Sequence, residues 1–182
     1  MDHKTTLTQH IKAPADAVWA VVSDIPGSAA TLSGVESIQM LTDGPYAVGT
    51  RWKETRTMMG RAETVEMWVS QSEAPSNGRG GSTTVKALQG GADYTTRFAL
   101  AERGGGTDLT LTFGAEVIKP TRFSLAERDG GTDLTLTFGA EVLKPTVLSR
   151  VMMALFGRIG MSITRKALAK DLAEIAAKAE SL

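Results

Sequence analysis

The sequence predicts an α+β protein: an antiparallel meander of about nine strands and a long C-terminal helix, with two short helices after the first strand. Three observations carry this expectation. Apolar and polar residues alternate with a period of two from about residue 37 to residue 138, and clusters of Gly, Pro, Asn and Asp separate the runs. From about Val147 to Leu182 the apolar period changes to three and four. The chain of 182 residues is long enough for one domain with a sizeable core and short for two, so residues 1–182 are read as a single domain.

The elements follow in order. Lys4–Ile11 (KTTLTQHI) alternates and is rich in Thr, which suits an exposed edge strand. APADAVWAVVSDI then offers Pro14 at a helix start and an apolar side of Ala17, Val18, Ala20, Val21 and Val22, stopped near Pro26 and Gly27. A second helical turn is expected over Ser28–Leu32. SIQMLTD, GTRWKETRTMMG, RAETVEMWVSQSEAP, STTVKALQG and DYTTRFALAE come next, divided by DGP, APSNGRGG and QGGAD, as in an antiparallel meander. In the last helix Leu148, Val151, Met152, Leu155, Ile159, Leu168, Leu172 and Ile175 form the apolar side, and Lys166, Lys170, Asp171 and Glu174 are placed on the other. Thr146 after Pro145 is a suitable N-cap, and Gly157 and Gly160 weaken the helix midway.

Composition removes several function classes. Twenty Lys and Arg balance twenty Asp and Glu, and no basic run occurs, so neither nucleic acid nor an anionic surface is the expected partner. There is no cysteine, hence no disulfide framework or thiolate metal site, and a cytoplasmic location is the expectation. His3 and His10 stand alone as strand-surface residues without an acidic ligand cluster, so no metal and no cofactor is expected. The polar start MDHKTTLTQH does not suit a signal peptide, and no apolar run reaches the ~18 residues of a membrane span.

One segment is written twice. TRFALAERGGGTDLTLTFGAEVIKP (residues 96–120) is followed directly by TRFSLAERDGGTDLTLTFGAEVLKP (residues 121–145), and 22 of 25 positions match. Only Ala99/Ser124, Gly104/Asp129 and Ile118/Leu143 differ. Each copy contains a strand, a Gly-rich turn and a second strand, so the unit is one hairpin and its doubling preserves strand direction. The simplest expectation is a sheet of nine strands where seven would otherwise stand, with a wider or more open cavity. Two further outcomes compete: one copy takes the hairpin site while the other loops out, or the surplus hairpin joins a second chain in a homodimer.

The stretches IKAPADAVWAVVSDI, VGTRWKETRTMMGR and RKALAKDLAEIAAKAE resemble the polyketide cyclase/dehydrase and lipid-transport branch of the START-like (SRPBCC) superfamily. The resemblance spans nearly the whole chain apart from one copy of the repeat. It implies a helix-grip fold, in which a curved sheet wraps around the long helix and leaves a cavity for a small hydrophobic or amphipathic molecule. Because that superfamily carries many activities on one scaffold, the residues themselves must argue the chemistry.

On GTRWKETR, alternation puts Trp52, Glu54, Arg56 and Met58 on one face, and the Trp and Met mark it as the inward one. Glu54 and Arg56 then point into the cavity, either as a self-satisfied ion pair or as partners for a polar ligand group. The ligand-lining expectation adds Met67, Tyr94, Phe98, Phe113, Phe138, Met152, Leu155 and Phe156, with Glu63, Val65 and Val69 inward beside Met67. No nucleophile with an activating base can be assembled, so the chain reads as a binding protein rather than an enzyme. Catalysis, if present, would be cyclase- or dehydratase-like and would rest on Glu54, Arg56 and Tyr94. A third reading is a recent or designed duplication that has weakened the original ligand function.

Overall fold

A computed structural model describes residues 3–58, 60–76, 79–89, 92–117, 121–128, 131–138 and 158–182. The chain opens with β1 (His3–Ile11), α1 (Ala15–Ser23) and α2 (Ser28–Thr31). A meander follows: β2 (Val35–Met40), β3 (Arg51–Met58), β4 (Arg61–Glu73), β5 (Ser82–Gln89), β6 (Ala92–Arg103) and β7 (Gly106–Val117). Then come β8 (Thr121–Arg128), β9 (Gly131–Phe138) and the C-terminal α3 (Arg158–Ala179). Residues 139–157, which include Thr146 and the first part of the expected long helix, lie outside the described residues.

Seven strands form one antiparallel sheet in the order β1-β7-β6-β5-β4-β3-β2. Consecutive strands neighbour one another except β1, which leaves the meander and returns to pair with β7 along its whole length, from His3 opposite Ala115 to Ile11 opposite Thr107. The β6–β7 hairpin turns on Gly104 and Gly105, both with positive φ (58° and 80°), as a tight two-residue turn requires. Gly106 follows under a different constraint: a Cβ there would stand 2.3 Å from the Ile11 carbonyl oxygen of β1. Beside it the buried Thr107 hydroxyl donates to the Ala13 carbonyl at 2.8 Å, pinning the corner between β1 and α1.

The expectation of one nine-stranded sheet is corrected here. Nine strands are described, but among the described residues β8 and β9 pair only with each other, in a two-stranded sheet of their own. The reason is that β7 has no free edge. One side is bonded to β6 and the other to β1, so the second hairpin cannot continue the ladder from β7, the strand it follows in the chain. The first copy of the repeat therefore takes the hairpin site, which was one of the competing expectations, and the sheet is not widened.

Alternation sorts each strand into an inner and an outer face. Threonines pair across the outer face, as in Thr8–Thr110 and Thr55–Thr64, with hydroxyls 3.0 and 2.8 Å apart. Arg51 and Glu66 also pair there, as does His10, whose ring bonds Asp108 at 2.8 Å. The inner face supports three apolar clusters. Ile11, Val18, Leu100, Leu109, Leu172 and Ile175 join β1, β6 and β7 to α1 and α3, while Trp52, Val69, Val85 and Ile25 form a second cluster under the other half. Each fully buried Leu or Val contributes about 1.5–3 kcal/mol. Ala87, Ala92 and Tyr94 form a third cluster, with Val65, Met67 and Phe113 packed against it; between the clusters the inner face stays unfilled.

Candidate functional site

The unfilled volume is a cavity of about 260 Å³ between β3–β7 on one side and α1, α2 and α3 on the other. Its walls are mainly apolar, from Val21, Ile25 and Leu32 of the helical side to Trp52, Met67 and Phe98 of the sheet. Tyr94 and Phe113, neighbours on β6 and β7, stack with ring centroids 6.1 Å apart. Trp52 is almost fully buried, 2% exposed, because its strand position faces inward and Val69 and Val85 close over it.

Most of the charge in this wall is gathered at one place. Glu54 and Arg56 follow Trp52 at two-residue steps on β3, and Asp171 reaches them from α3. Arg56 Nε donates to Glu54 Oε1 at 2.5 Å, and its Nη1 donates to Asp171 Oδ2 at 2.8 Å. Trp52 Nε1 donates to the other Glu54 oxygen at 3.3 Å. Burial works against the Arg56 charge, but the carboxylates on its two sides outweigh that effect and hold its pKa above the ordinary value. Burial likewise raises the Asp171 carboxyl, and Arg56 pulls it back only in part. One guanidinium thus serves two acids, and three of its five N–H groups lie outside these two bonds.

A second polar station lies on β4, β5 and β6, where Glu63, Gln89 and Tyr94 face the same cavity. Burial, followed by the charge of Glu63, pushes the Tyr94 phenol up to about 12. It is therefore a neutral hydroxyl at physiological pH. Tyr46, in the loop between β2 and β3, also lines the cavity and shares a hydrogen bond with the Thr83 hydroxyl of β5 at 2.7 Å.

Of the residues expected from sequence, Trp52, Glu54, Arg56, Met67, Tyr94, Phe98 and Phe113 all line this cavity. Glu63 and Val65 do as well, and Val69 is buried in the same sheet face. Met58 ends β3 and Phe138 ends β9, but their side chains lie outside the described residues, as do Met152, Leu155 and Phe156 entirely. Phe138 also belongs to the separate hairpin rather than to the seven-stranded sheet. Asp171 is a correction: assigned by sequence to the outer side of the last helix, it is buried and bonded to Arg56. Its phase was the available signal, since it stands three after Leu168 and four before Ile175, both cavity residues.

Residues 2–128 match the family described as polyketide cyclase / dehydrase and lipid transport. The chain belongs to that family. Its matched span takes in the seven-stranded sheet, including Glu54, Arg56 and Tyr94, and runs into the first strand of the second repeat copy. No curated protein sequence matches. Among solved structures the fold resembles the ZhuI aromatase/cyclase from Streptomyces sp. R1128, at 14% identity and TM-score 0.67, covering 99% of this chain and 94% of that one. It also resembles a START superfamily protein from Mycobacterium smegmatis, at 12% identity and TM-score 0.64 over 98% of each chain. A third is the major latex-like protein 151 from Panax ginseng, at 10% identity and TM-score 0.62 over 97% of each chain. These likenesses establish the helix-grip architecture of the family member described here. No described helix is long and apolar enough to cross a membrane.

Proposed function

We propose that the protein binds one small hydrophobic or amphipathic molecule in the cavity between the sheet and α3. The observation that carries this reading is an apolar chamber of about 260 Å³ with Glu54, Arg56 and Asp171 clustered in its wall and Glu63 apart from them beside Tyr94. A concave wall of this kind gains free energy by expelling water, and a ligand burying about 200 Å² of apolar surface gains about 5 kcal/mol before the cost of association. The polar cluster would then orient a carbonyl or hydroxyl of the guest through the remaining Arg56 N–H groups. Its volume, just under the usual range of about 300–1,000 Å³ for ligand pockets, favours a compact guest.

The test is a titration with a neutral apolar fluorescent probe, followed in parallel by native mass spectrometry. One probe per chain is expected, and Ala87→Phe, which fills the cavity from β5, should abolish binding while the protein stays folded. Equal binding by the filled variant would place the probe elsewhere and defeat the reading.

A second reading, a cyclase- or dehydratase-like activity, is favoured by the presence of acid, base and hydroxyl groups in an otherwise apolar chamber. Glu54→Gln separates the two. An enzyme loses turnover on a polyketide-like substrate and keeps its affinity, whereas for a carrier the substitution changes affinity alone.

A further inference from the structure

We infer that the two copies of the repeat compete for a single slot in the sheet, so that a minor isomer with β8–β9 inserted between β5 and β1, in place of β6–β7, is in equilibrium with the form described above.

The slot has two sides, and on one of them the copies are indistinguishable. β1 reads β7 through nine consecutive residues, Thr107–Ala115. Residues 132–140 repeat those nine without a change. The internal register is also the same: Thr96 opposite Phe113 through Arg103 opposite Gly106 in the first copy, and Thr121 opposite Phe138 through Arg128 opposite Gly131 in the second. The second hairpin is therefore already folded in the shape the slot accepts. Between its strands the sequence has Asp129-Gly130 where the first copy has Gly104-Gly105, and Asp-Gly suits the same two-residue turn.

The other side of the slot tells them apart. β5 reads β6 from Ala92 to Ala99, but the repeat begins only at Thr96. In the four places of Ala92, Asp93, Tyr94 and Thr95, the second copy brings Val117, Ile118, Lys119 and Pro120. Exchange therefore gives up the Lys86–Asp93 ion pair (3.2 Å) and the stacking of Tyr94 on a phenylalanine ring. It also puts a proline, which has no N–H, where Thr95 stands inside the sheet. Either isomer leaves one 25-residue unit outside the sheet, so the cost of closing that loop cancels to first order. These losses make the exchanged form the minor one, by about tenfold or more. Exchange has a consequence for the cavity, because it withdraws Tyr94 from the wall. A guest that touches Tyr94 draws the population toward the form described.

Disulfide trapping tests the inference directly, since the chain has no cysteine of its own. Thr8 and Thr110 face each other across β1 and β7 on the exposed face, hydroxyls 3.0 Å apart, a separation of strands that a disulfide spans. Thr8→Cys/Thr110→Cys reports the main form and should oxidise to completion under native conditions. Thr8→Cys/Thr135→Cys reports the exchanged form, and its intrachain link should accumulate about tenfold or more slowly. Leu109→Ala, which damages the fully buried core position of the first copy alone, should accelerate that second link by about tenfold or more. Adding Leu134→Ala, the matching change in the second copy, should remove the acceleration. The inference is overturned if Thr8→Cys/Thr135→Cys forms no intrachain link, with or without Leu109→Ala, over a time in which Thr8→Cys/Thr110→Cys oxidises fully. So is it by a link found only between chains, or by an acceleration that Leu134→Ala leaves intact, which would report general loosening.

Discussion

Replacing Arg56 by Met keeps the apolar stem of the side chain and removes the cation that Glu54 and Asp171 share. The exposures that set the cost are 27% for Arg56, 12% for Glu54 and 10% for Asp171. Removing one member of a buried pair costs about 3–5 kcal/mol, because the partner is left uncompensated; water reaching the part-exposed Arg56 site lowers this to about 2–4 kcal/mol. In a chain of 182 residues that corresponds to a fall in Tm of about 4–16 °C at pH 7. The pH dependence follows from Asp171, whose carboxyl is already raised by burial against the pull of Arg56. Without Arg56 it rises further. A carboxyl raised on folding holds its proton more tightly in the folded state, so its unfavourable contribution at neutral pH fades as the pH falls. Melting Arg56→Met and the parent by circular dichroism at pH 7 and pH 5 should show the deficit shrinking with acid, and Asp171→Asn in the Arg56→Met background should recover part of it at pH 7. A Tm within about 2 °C of the parent, or a deficit equal at both pH values, would refute a shared buried cation.

The chain holds two tyrosines, Tyr46 and Tyr94, and burial raises both phenols, Tyr94 to about 12. Ultraviolet titration of the native protein should accordingly find less than half the phenolate at pH 10. Because unfolded tyrosines ionise first, stability is lost as pH rises from 10 toward 12, and native half-titration at or below 10 would contradict the burial. Gly106→Ala drives a Cβ toward the Ile11 carbonyl and should lower Tm, whereas Gly131→Ala, its counterpart in the separate hairpin, should leave Tm nearly unchanged. Equal effects in the two melts would show that the first copy does not own the slot.

The parts of the fold legible in the sequence were those with local causes. Alternation around Trp52 put Glu54 and Arg56 on the inner face because side chains in a strand change sides at every step, whatever the strand pairs with. Gly104 and Gly105 marked a turn because the chain there needs positive φ. The division into seven strands and two was not legible, since both copies alternate equally well and the decision is made by β1, roughly a hundred residues upstream of β7. Asp171 was misplaced for a related reason. A carboxylate beside Lys170 and Glu174 reads as solvated, and only the arrival of Arg56 from 115 positions away makes its burial tolerable. The helical side of the cavity, including Val21, Ile25 and Leu32, likewise depends on how α1 and α2 settle over the sheet.

The pairing of β1 with β7 also sets an order of events during synthesis. β1 leaves the ribosome first, but its partner is complete only after Ala115, opposite His3, has been added. At about 5–20 residues per second the N-terminal strand waits on the order of 5–20 s with its edge unpaired. When a matching edge does arrive it is β7, and the identical edge of β9 follows 25 residues later. The first copy thus meets a vacant partner and the second meets an occupied one. Translation order favours the same hairpin as the contacts of β5, and it does so before those contacts can be weighed against any alternative.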